Sequence, residues 1–407
     1  MPQQITILGA TGSIGRSALD VISLHRDQFQ TWGLSAHSSA KQLAELATSS
    51  GAKFLSIGSG HAAELNLALY GAAPKIPIHE GREGLNYLAG MPESEIVITG
   101  IVGAAGLLPT LTAVRAGKKV LIANKEPLVM MGPEIMREAE MAGATIVPLD
   151  SEHNAILQCL PAKFQEESTT CSNAAGVDQL QKYGITKIIL TASGGPFRQT
   201  SRKALESVTP EQAASHPNWK MGRKISIDSA TMMNKGLELI EACALFSVDP
   251  SQVEIVIHPQ SIVHSLVEYN DGSFLAQMAN PDMRIAIANA LGYPDHISSG
   301  AEKLNIGELG TLEFGVPDEE RFPCLKLARL AADAGGTAPT ILNAANEVAV
   351  EAFCNRLIKF TDIPKIIDQA LDKLPVERER NLETVILSDS NARRFAYKLV
   401  SEQRNTS

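Results

Sequence analysis

Apolar and polar positions follow two different periods along the first 150 residues. Short apolar runs at Ile5–Leu8, Thr31–Ala36, Phe54–Ile57, Glu95–Ile98, Lys119–Ile122 and Thr145–Pro148 have the length of buried strands. Between them the apolar spacing turns helical, as in Ser13–Leu24 and Lys41–Thr48. Strands interleaved in this way with helices predict an α/β fold, a Rossmann-like doubly wound parallel sheet. Residues 151–291 carry further strand-like runs, Lys187–Thr191, Glu254–His258, Ser261–Tyr269 and Ser273–Gln277, and predict a second, central α/β domain. Within it the polar stretch 162–184 reads as an exposed excursion rather than core. Residues 292–322 are rich in Gly and Pro and read as a connector. From 323 to 407 the period is helical only, with runs at Cys324–Ala334, Pro339–Arg356, Asp362–Lys373 and Leu382–Gln403, which predicts a C-terminal helical bundle. Three domains follow: 1–150, 151–291 and 323–407.

Composition narrows the classes of partner. The 407 residues carry 36 basic and 45 acidic side chains, a net charge of −9. Nucleic acid and anionic lipid need concentrated Lys and Arg, so neither is expected as a partner. A small phosphorylated substrate remains compatible, because a few local cations suffice. No apolar run approaches the roughly 20 residues that span a bilayer. The cysteines, 159, 171, 243, 324 and 354, are odd in number and form no Cys-x-x-Cys pair, which favours a reducing compartment. Met1-Pro-Gln-Gln4 runs straight into an apolar strand without a basic leader, so the cytoplasm is expected.

Six segments carry candidate chemistry. Gly9-Ala-Thr-Gly-Ser-Ile-Gly15 ends the first strand and opens a helix, as a pyrophosphate-binding turn does; a purely structural turn is the other reading. The second strand ends Ala36-His37-Ser38-Ser39, without the carboxylate that an NAD site uses for the ribose hydroxyl, so NADP is expected over NAD. Asp150 and Glu152 follow a strand and, two apart in extended chain, face one side. A solvated turn is equally compatible with them alone. Asn234, Lys235 and Glu238 share a helix face, and Gly236 among them costs about 1 kcal/mol against Ala, which a close approach to ligand would explain. Three carboxylates without a Cys/His cluster favour Mg²⁺ or Mn²⁺ over Zn²⁺. Thr191-Ala-Ser193-Gly194-Gly195-Pro196 suits an anion or is a plain turn. His216-Pro-Asn-Trp219-Lys-Met221-Gly222 can cover a site or anchor a loop. His258 and His264 read as core or supporting residues, and His153 and Glu241 as packing or solvent residues.

These segments, with Ala123-Asn-Lys-Glu126, Leu149-Asp-Ser-Glu-His153, Asp228-Ser-Ala-Thr-Met-Met-Asn-Lys-Gly-Leu-Glu238 and His258-Pro-Gln-Ser261, stand in the order of one family. The chain resembles the 1-deoxy-D-xylulose 5-phosphate reductoisomerases over essentially its whole length. The resemblance implies a homodimer that uses NADPH and Mg²⁺ or Mn²⁺. It implies skeletal rearrangement of the phosphorylated ketose by retro-aldol cleavage and re-aldolisation, then hydride reduction to 2-C-methyl-D-erythritol 4-phosphate. By motif position, Asp150, Glu152 and Glu238 match metal ligands, and Lys125 a catalytic cation beside them. Lys125, Ser151, Glu152, Ser193, His216, Ser229, Asn234, Lys235 and Glu238 match substrate contacts. Thr11, Gly12, Ser13, Ile14, Asn124, Glu126 and Gly222 match NADPH contacts, with Ser38 and Ser39 at the 2′-phosphate position where the family often has Asn or a basic residue. Trp219 and Met221 match a flexible lid. A simpler NADP-dependent dehydrogenase is the runner-up, and a non-catalytic NADP sensor would have no need for the carboxylates and Lys125 together.

Overall fold

The computed structural model describes residues 1–70, 75–171, 179–215, 218–219 and 221–406. Seven strands, β1 (Gln3–Leu8), β2 (Phe29–Ala36), β3 (Phe54–Ile57), β4 (Ile78–Glu80), β5 (Ile96–Thr99), β6 (Lys119–Ile122) and β7 (Thr145–Pro148), form one parallel sheet in the order β4-β3-β2-β1-β5-β6-β7. Their apolar runs are buried on both faces, as a sheet covered by crossover helices requires. The helices are α1 (Ser13–Leu24), α2 (Ala40–Ser50), α3 (Ala62–Ala68), α4 (Gly81–Gly90), α5 (Leu107–Arg115) and α6 (Glu126–Ala142). The three-residue edge strand β4 was not expected from sequence. It offers a single apolar residue, Ile78, and its residues are no more than half-buried.

After β7 come α7 (Ser151–Cys159), α8 (Ala162–Thr169) and α9 (Gln179–Lys182), then β8 (Ile185–Ala192). The expectation of an exposed excursion over 162–184 is corrected here. Phe164 and Leu180 are fully buried, and Phe164 stacks on Tyr183 with ring centroids 5.0 Å apart. The polar residues of α8 lie on its outer face, while every third or fourth residue (Phe164, Ser168) packs inward. Residues 172–178 of that stretch lie outside the described residues. A second sheet, ordered β11-β10-β8-β9, adds β9 (Val253–Ile257), β10 (Val263–Tyr269) and β11 (Phe274–Met278). Between β8 and β9 run α10 (Pro210–Ala213), α11 (Arg223–Ala230) and α12 (Met233–Phe246). After β11, α13 (Met283–Gly292) packs back on α1 and α7.

Beyond α13 the chain passes the second sheet, where Gly315 bridges Ile257 and Arg321 donates to the carbonyls of Arg198 and Thr200. Helices α14 (Cys324–Ala334), α15 (Ala338–Cys354), α16 (Ile363–Lys373) and α17 (Leu382–Thr406) complete the chain. Helix α15 is buried along most of its length, among α6, α11, α14, α16 and α17. Among the described residues no helix is long and apolar enough to cross a membrane.

Candidate active site

The carboxyl ends of β1, β5, β6 and β7 open on one cleft of about 980 Å³. Strand order runs outward in both directions from β1 and β5, and open α/β sheets hold ligands at that reversal. Helices α1, α6, α7, α11 and α12 all begin at this cleft. Their free N–H groups and dipoles favour anionic ligands.

On the cofactor side, Gly9 takes φ of 84°, and a Cβ there would strike the Gly100 carbonyl. The chain then turns within hydrogen-bond reach, Gly12 N–H to the Gly9 carbonyl at 3.1 Å, and α1 starts at Ser13. Gly12, Ser13 and Ile14 line the cleft, with Asn124, Glu126 and Gly222. Thr11, Ser38 and Ser39 are not among its lining residues; Ser39 is the N-cap of α2, beyond the end of β2.

Across from the glycine turn, Asp150, Glu152 and Glu238 each present a carboxylate oxygen, all within 4.8 Å of one another. Lys125 Nζ lies 2.5 Å from Asp150 and 3.0 Å from Glu238, and donates to Asn234 Oδ1 at 2.8 Å. Lys235 Nζ pairs with Glu152 at 2.7 Å and with Glu238. Asn234 Nδ2 donates to Glu238 at 2.5 Å, and Ser151 Oγ donates to Glu152. Burial and the neighbouring Glu152 push the Glu238 carboxyl up to about 7. Burial opposes charge on Asp150 as well, but Lys125 holds its carboxyl well below the usual range. An all-oxygen donor set with one carboxyl resisting charge fits a hard divalent cation, whose charge would relieve that resistance.

Two expectations are corrected here. Asp150 and Glu152 do not lie in extended chain. The chain enters α7 at Ser151, with Asp150 as N-cap and Glu152 in the first turn. They converge because side chains tie that turn to α12: Glu152 pairs with Lys235, and His153 meets the Glu238 carbonyl and Glu241. Gly236 does not approach a ligand. It faces α14, where an added Cβ would collide with the Cβ of Ala328.

His153 and Glu241, given no chemical role from sequence, form a buried ion pair at 3.2 Å behind the carboxylates. His153 Nε2 lies 2.9 Å from the Glu238 carbonyl oxygen. Burial works against charge on His153, but Glu241 outweighs it and pushes the imidazole up to about 9. The two residues sit on different helices, so sequence spacing holds no signal for the pair.

On the substrate side, Gly194 and Gly195 take φ of 81° and 68° after β8 and curl the chain round Ser193. Ser193, Ser229, Asn234 and Lys235 line one end of the cleft. Asn218 donates to the Pro259 carbonyl at 2.7 Å and to Ser261 at 2.9 Å, seating the loop that bears Trp219. The Trp219 ring meets His264 edge-on at 6.1 Å, and both line the cleft with Met221. His264, expected as a core or supporting residue, is buried yet borders the cleft, and burial lowers its pKa. His258 is a satisfied core residue, within 2.8 Å of the Glu313 carbonyl and accepting from Ile262 and Val263 N–H. His216 lies outside the described residues. Lys224 and Asp228, not singled out from sequence, also line the cleft; their i,i+4 spacing on α11 was the available signal.

A parallel dinucleotide-type sheet whose switch point faces three convergent carboxylates defines a Rossmann-type α/β enzyme that pairs a nucleotide site with a divalent-cation site. Three family models cover nearly the whole chain: 1-deoxy-D-xylulose 5-phosphate reductoisomerase over residues 5–132, its C-terminal domain over 146–246, and the DXP reductoisomerase C-terminal domain over 278–395. The chain belongs to the 1-deoxy-D-xylulose 5-phosphate reductoisomerase family. It is 52% identical over 404 residues to the reductoisomerase of Pseudomonas fluorescens, covering 99% of this chain and 98% of that protein. The protein of Stutzerimonas stutzeri is 50% identical over 396 residues, covering 97% of each. A crystal structure of a reductoisomerase in complex with NADPH, fosmidomycin and magnesium superposes with a TM-score of 0.93 at 45% identity, covering 98% of both chains. The Zymomonas mobilis enzyme in complex with NADPH gives a TM-score of 0.86 at 42% identity, again over 98% of both.

Proposed function

We propose that this chain converts 1-deoxy-D-xylulose 5-phosphate to 2-C-methyl-D-erythritol 4-phosphate with NADPH and Mg²⁺ or Mn²⁺. The observation that carries this reading is the placement of Asp150, Glu152, Glu238 and Lys125 opposite the Gly9–Gly15 turn across a single cleft. Asp150, Glu152 and Glu238 would hold the divalent ion, which when bound supplies Lewis-acid stabilisation of oxyanions and a template for a diol or ketol substrate. NADPH supplies the hydride. Lys125 sets a preorganised positive charge beside the reacting oxygens. Ser193, Ser229, Asn234 and Lys235 would anchor the phosphate, with Ser151 and His216 as further substrate contacts. The anchored phosphate provides binding energy remote from the chemistry, which can favour closure of Trp219 and Met221 over the site. Thr11, Gly12, Ser13, Ile14, Asn124, Glu126 and Gly222 would contact NADPH, with Ser38 and Ser39 near the 2′-phosphate.

The test is NADPH oxidation with 1-deoxy-D-xylulose 5-phosphate and Mg²⁺ or Mn²⁺, repeated in EDTA, with the product identified by NMR. Metal-dependent oxidation yielding the branched product supports the reading. Oxidation without rearrangement, or undiminished by EDTA, refutes it.

The division into 1–150, 151–291, 292–322 and 323–407 belongs to the same proposal, as do a cytoplasmic setting and a homodimer. The open edge β11 leaves Phe274 and Leu275 about half exposed (50% and 51%), a surface suited to a second copy. Light scattering of the full chain against Leu275→Lys checks this: a wild-type monomer refutes the dimer, and a dimeric variant refutes that edge as its interface.

A further inference from the structure

We propose that Asn346 and Glu347, adjacent on α15, are positioning residues that close a ring of contacts round the cofactor end of the cleft; this rests on the NADPH reading above. Neither residue lines the cleft. Each begins one arm of the ring, and the arms meet at Glu126.

The first arm starts at Glu347, whose Oε1 accepts from the backbone N–H of Ala104 at 3.1 Å. One residue back, the Gly103 carbonyl accepts from Asn124 Nδ2 at 3.1 Å, and Asn124 Oδ1 accepts from the Glu126 N–H at 3.0 Å. The loop held in this way, Gly100 to Val102, forms part of the cleft wall. The second arm starts at Asn346, whose Nδ2 donates to Asp228 Oδ1 at 2.8 Å. The other Asp228 oxygen pairs with Lys224 at 2.9 Å, and Lys224 pairs with Glu126 at 2.6 Å. Both belong to α11, whose N-cap is Gly222 at the end of the lid segment.

The two anchors are themselves fixed. The second Glu347 oxygen is held by Arg393 at 2.6 Å, and Arg393 also grips Asp389 on α17. Asn343 donates to Glu347 Oε1 at 3.1 Å. Asn346 is fully buried, and its side-chain carbonyl oxygen has no hydrogen-bond partner among the described residues. A buried amide with half its capacity unused is costly, so what the position gains is the bond to Asp228. Gly103 shows how tightly the first arm fits: an added Cβ would lie 3.0 Å from the Glu347 carboxylate. The helical domain thereby sets the spacing between the loop after β5 and the helix after the lid, the two walls between which the cofactor would lie.

The experiment is NADPH titration of the full chain, followed by cofactor fluorescence, beside Mn²⁺ titration and the KM of the substrate. Asn346→Ala and Glu347→Ala should each weaken NADPH about two- to tenfold, the equivalent of one ordinary buried hydrogen bond. The double variant should resemble the weaker single, because either cut opens the same ring. Mn²⁺ affinity and substrate KM should stay within about twofold, since the carboxylates are held by other contacts. Glu347→Gln, which keeps an acceptor for Ala104, should recover most of the NADPH affinity. Asn346→Asp keeps the volume but faces Asp228 with a like charge, and should weaken NADPH at least as much as the Ala variant even if the latter folds poorly. Folded variants with unchanged NADPH affinity, or with NADPH and Mn²⁺ weakened alike, overturn the positioning role. Wild-type protein that binds no NADPH overturns instead the reading on which it rests.

Discussion

Replacing Gly236 by Ala sets two well-defined effects against each other. Ala is favoured over Gly inside a helix by about 1 kcal/mol, so an exposed site would gain stability. At Gly236 the added methyl collides with the Cβ of Ala328, and also lies 3.6 Å from the Cys324 carbonyl and 3.8 Å from the Leu325 Cα. Two carbons need roughly 3.5–4.0 Å, so α12 and α14 must move apart by more than an ångström. Overpacking of this kind costs about 1–3 kcal/mol, so after the helix gain of about 1 kcal/mol the net loss is roughly 0–2 kcal/mol. The larger effect falls on activity. Asn234, Lys235 and Glu238 ride on the same turns of α12. A misplacement of about 1 Å at a reacting centre can cost on the order of a hundredfold in rate. Urea unfolding gives the first quantity and kcat at saturating metal gives the second. Ala328→Gly in the same chain should restore most of the activity, though less of the stability, because it adds a glycine to α14. A Gly236→Ala variant as stable and as active as the wild type would refute the packing argument.

Glu238→Gln should keep NADPH binding yet lose turnover and raise the metal requirement; wild-type turnover at unchanged metal demand would remove Glu238 from the ligand set. Lys125→Ala deletes one preorganised charge and should cost about 10²–10³ in kcat, with a loss below threefold refuting its role. Burial pushes the thiols of Cys159 up to about 11 and of Cys171, Cys243 and Cys324 up to about 12. Iodoacetamide at pH 8, read by mass spectrometry, should therefore label the partly exposed Cys354 first and the buried Cys159, Cys171 and Cys324 only on unfolding; equal labelling of Cys171 in folded protein would refute this. Folded thiol pKa values above the ordinary 9.0 also fix a sign. Their stabilising contribution is complete below about pH 9 and is lost as pH rises toward 11–12, so the urea midpoint should fall across that window.

The periodic parts of this fold were legible because burial on both faces leaves long apolar runs, as in Ile5–Leu8 and Thr145–Pro148. Strand β4 was not, because a three-residue edge strand owes its existence to its neighbour β3 rather than to its own residues. Glycine turns announced the two anion-suited loops. The break between α11 and α12 carries no such mark: Met232 takes φ of 63° there, a conformation a methionine does not advertise. Asp150, Glu152 and Glu238 could be nominated by residue type, yet their meeting point depends on side-chain ties between α7 and α12. The His153–Glu241 pair and the contacts of Asn346 and Glu347 are entirely tertiary. The helix cost of Gly236 is legible in the sequence, but the neighbour that demands it, Ala328 on α14, is set by the fold alone.

The placement of the two chemical centres on one sheet makes that sheet a ruler. The glycine turn follows β1 and Asp150 follows β7, with β5 and β6 between them. Three steps of about 4.8 Å set the two ends roughly 14 Å apart. That interval is written in backbone hydrogen bonds, so no exchange of side chains in the core can lengthen or shorten it. The far wall is different in kind, because the Ser193 loop and the start of α12 are turns and helix ends whose reach depends on their residues. Drift in this family toward a longer or shorter substrate would therefore be accommodated on the wall of turns, while the span from cofactor to cation stays the same.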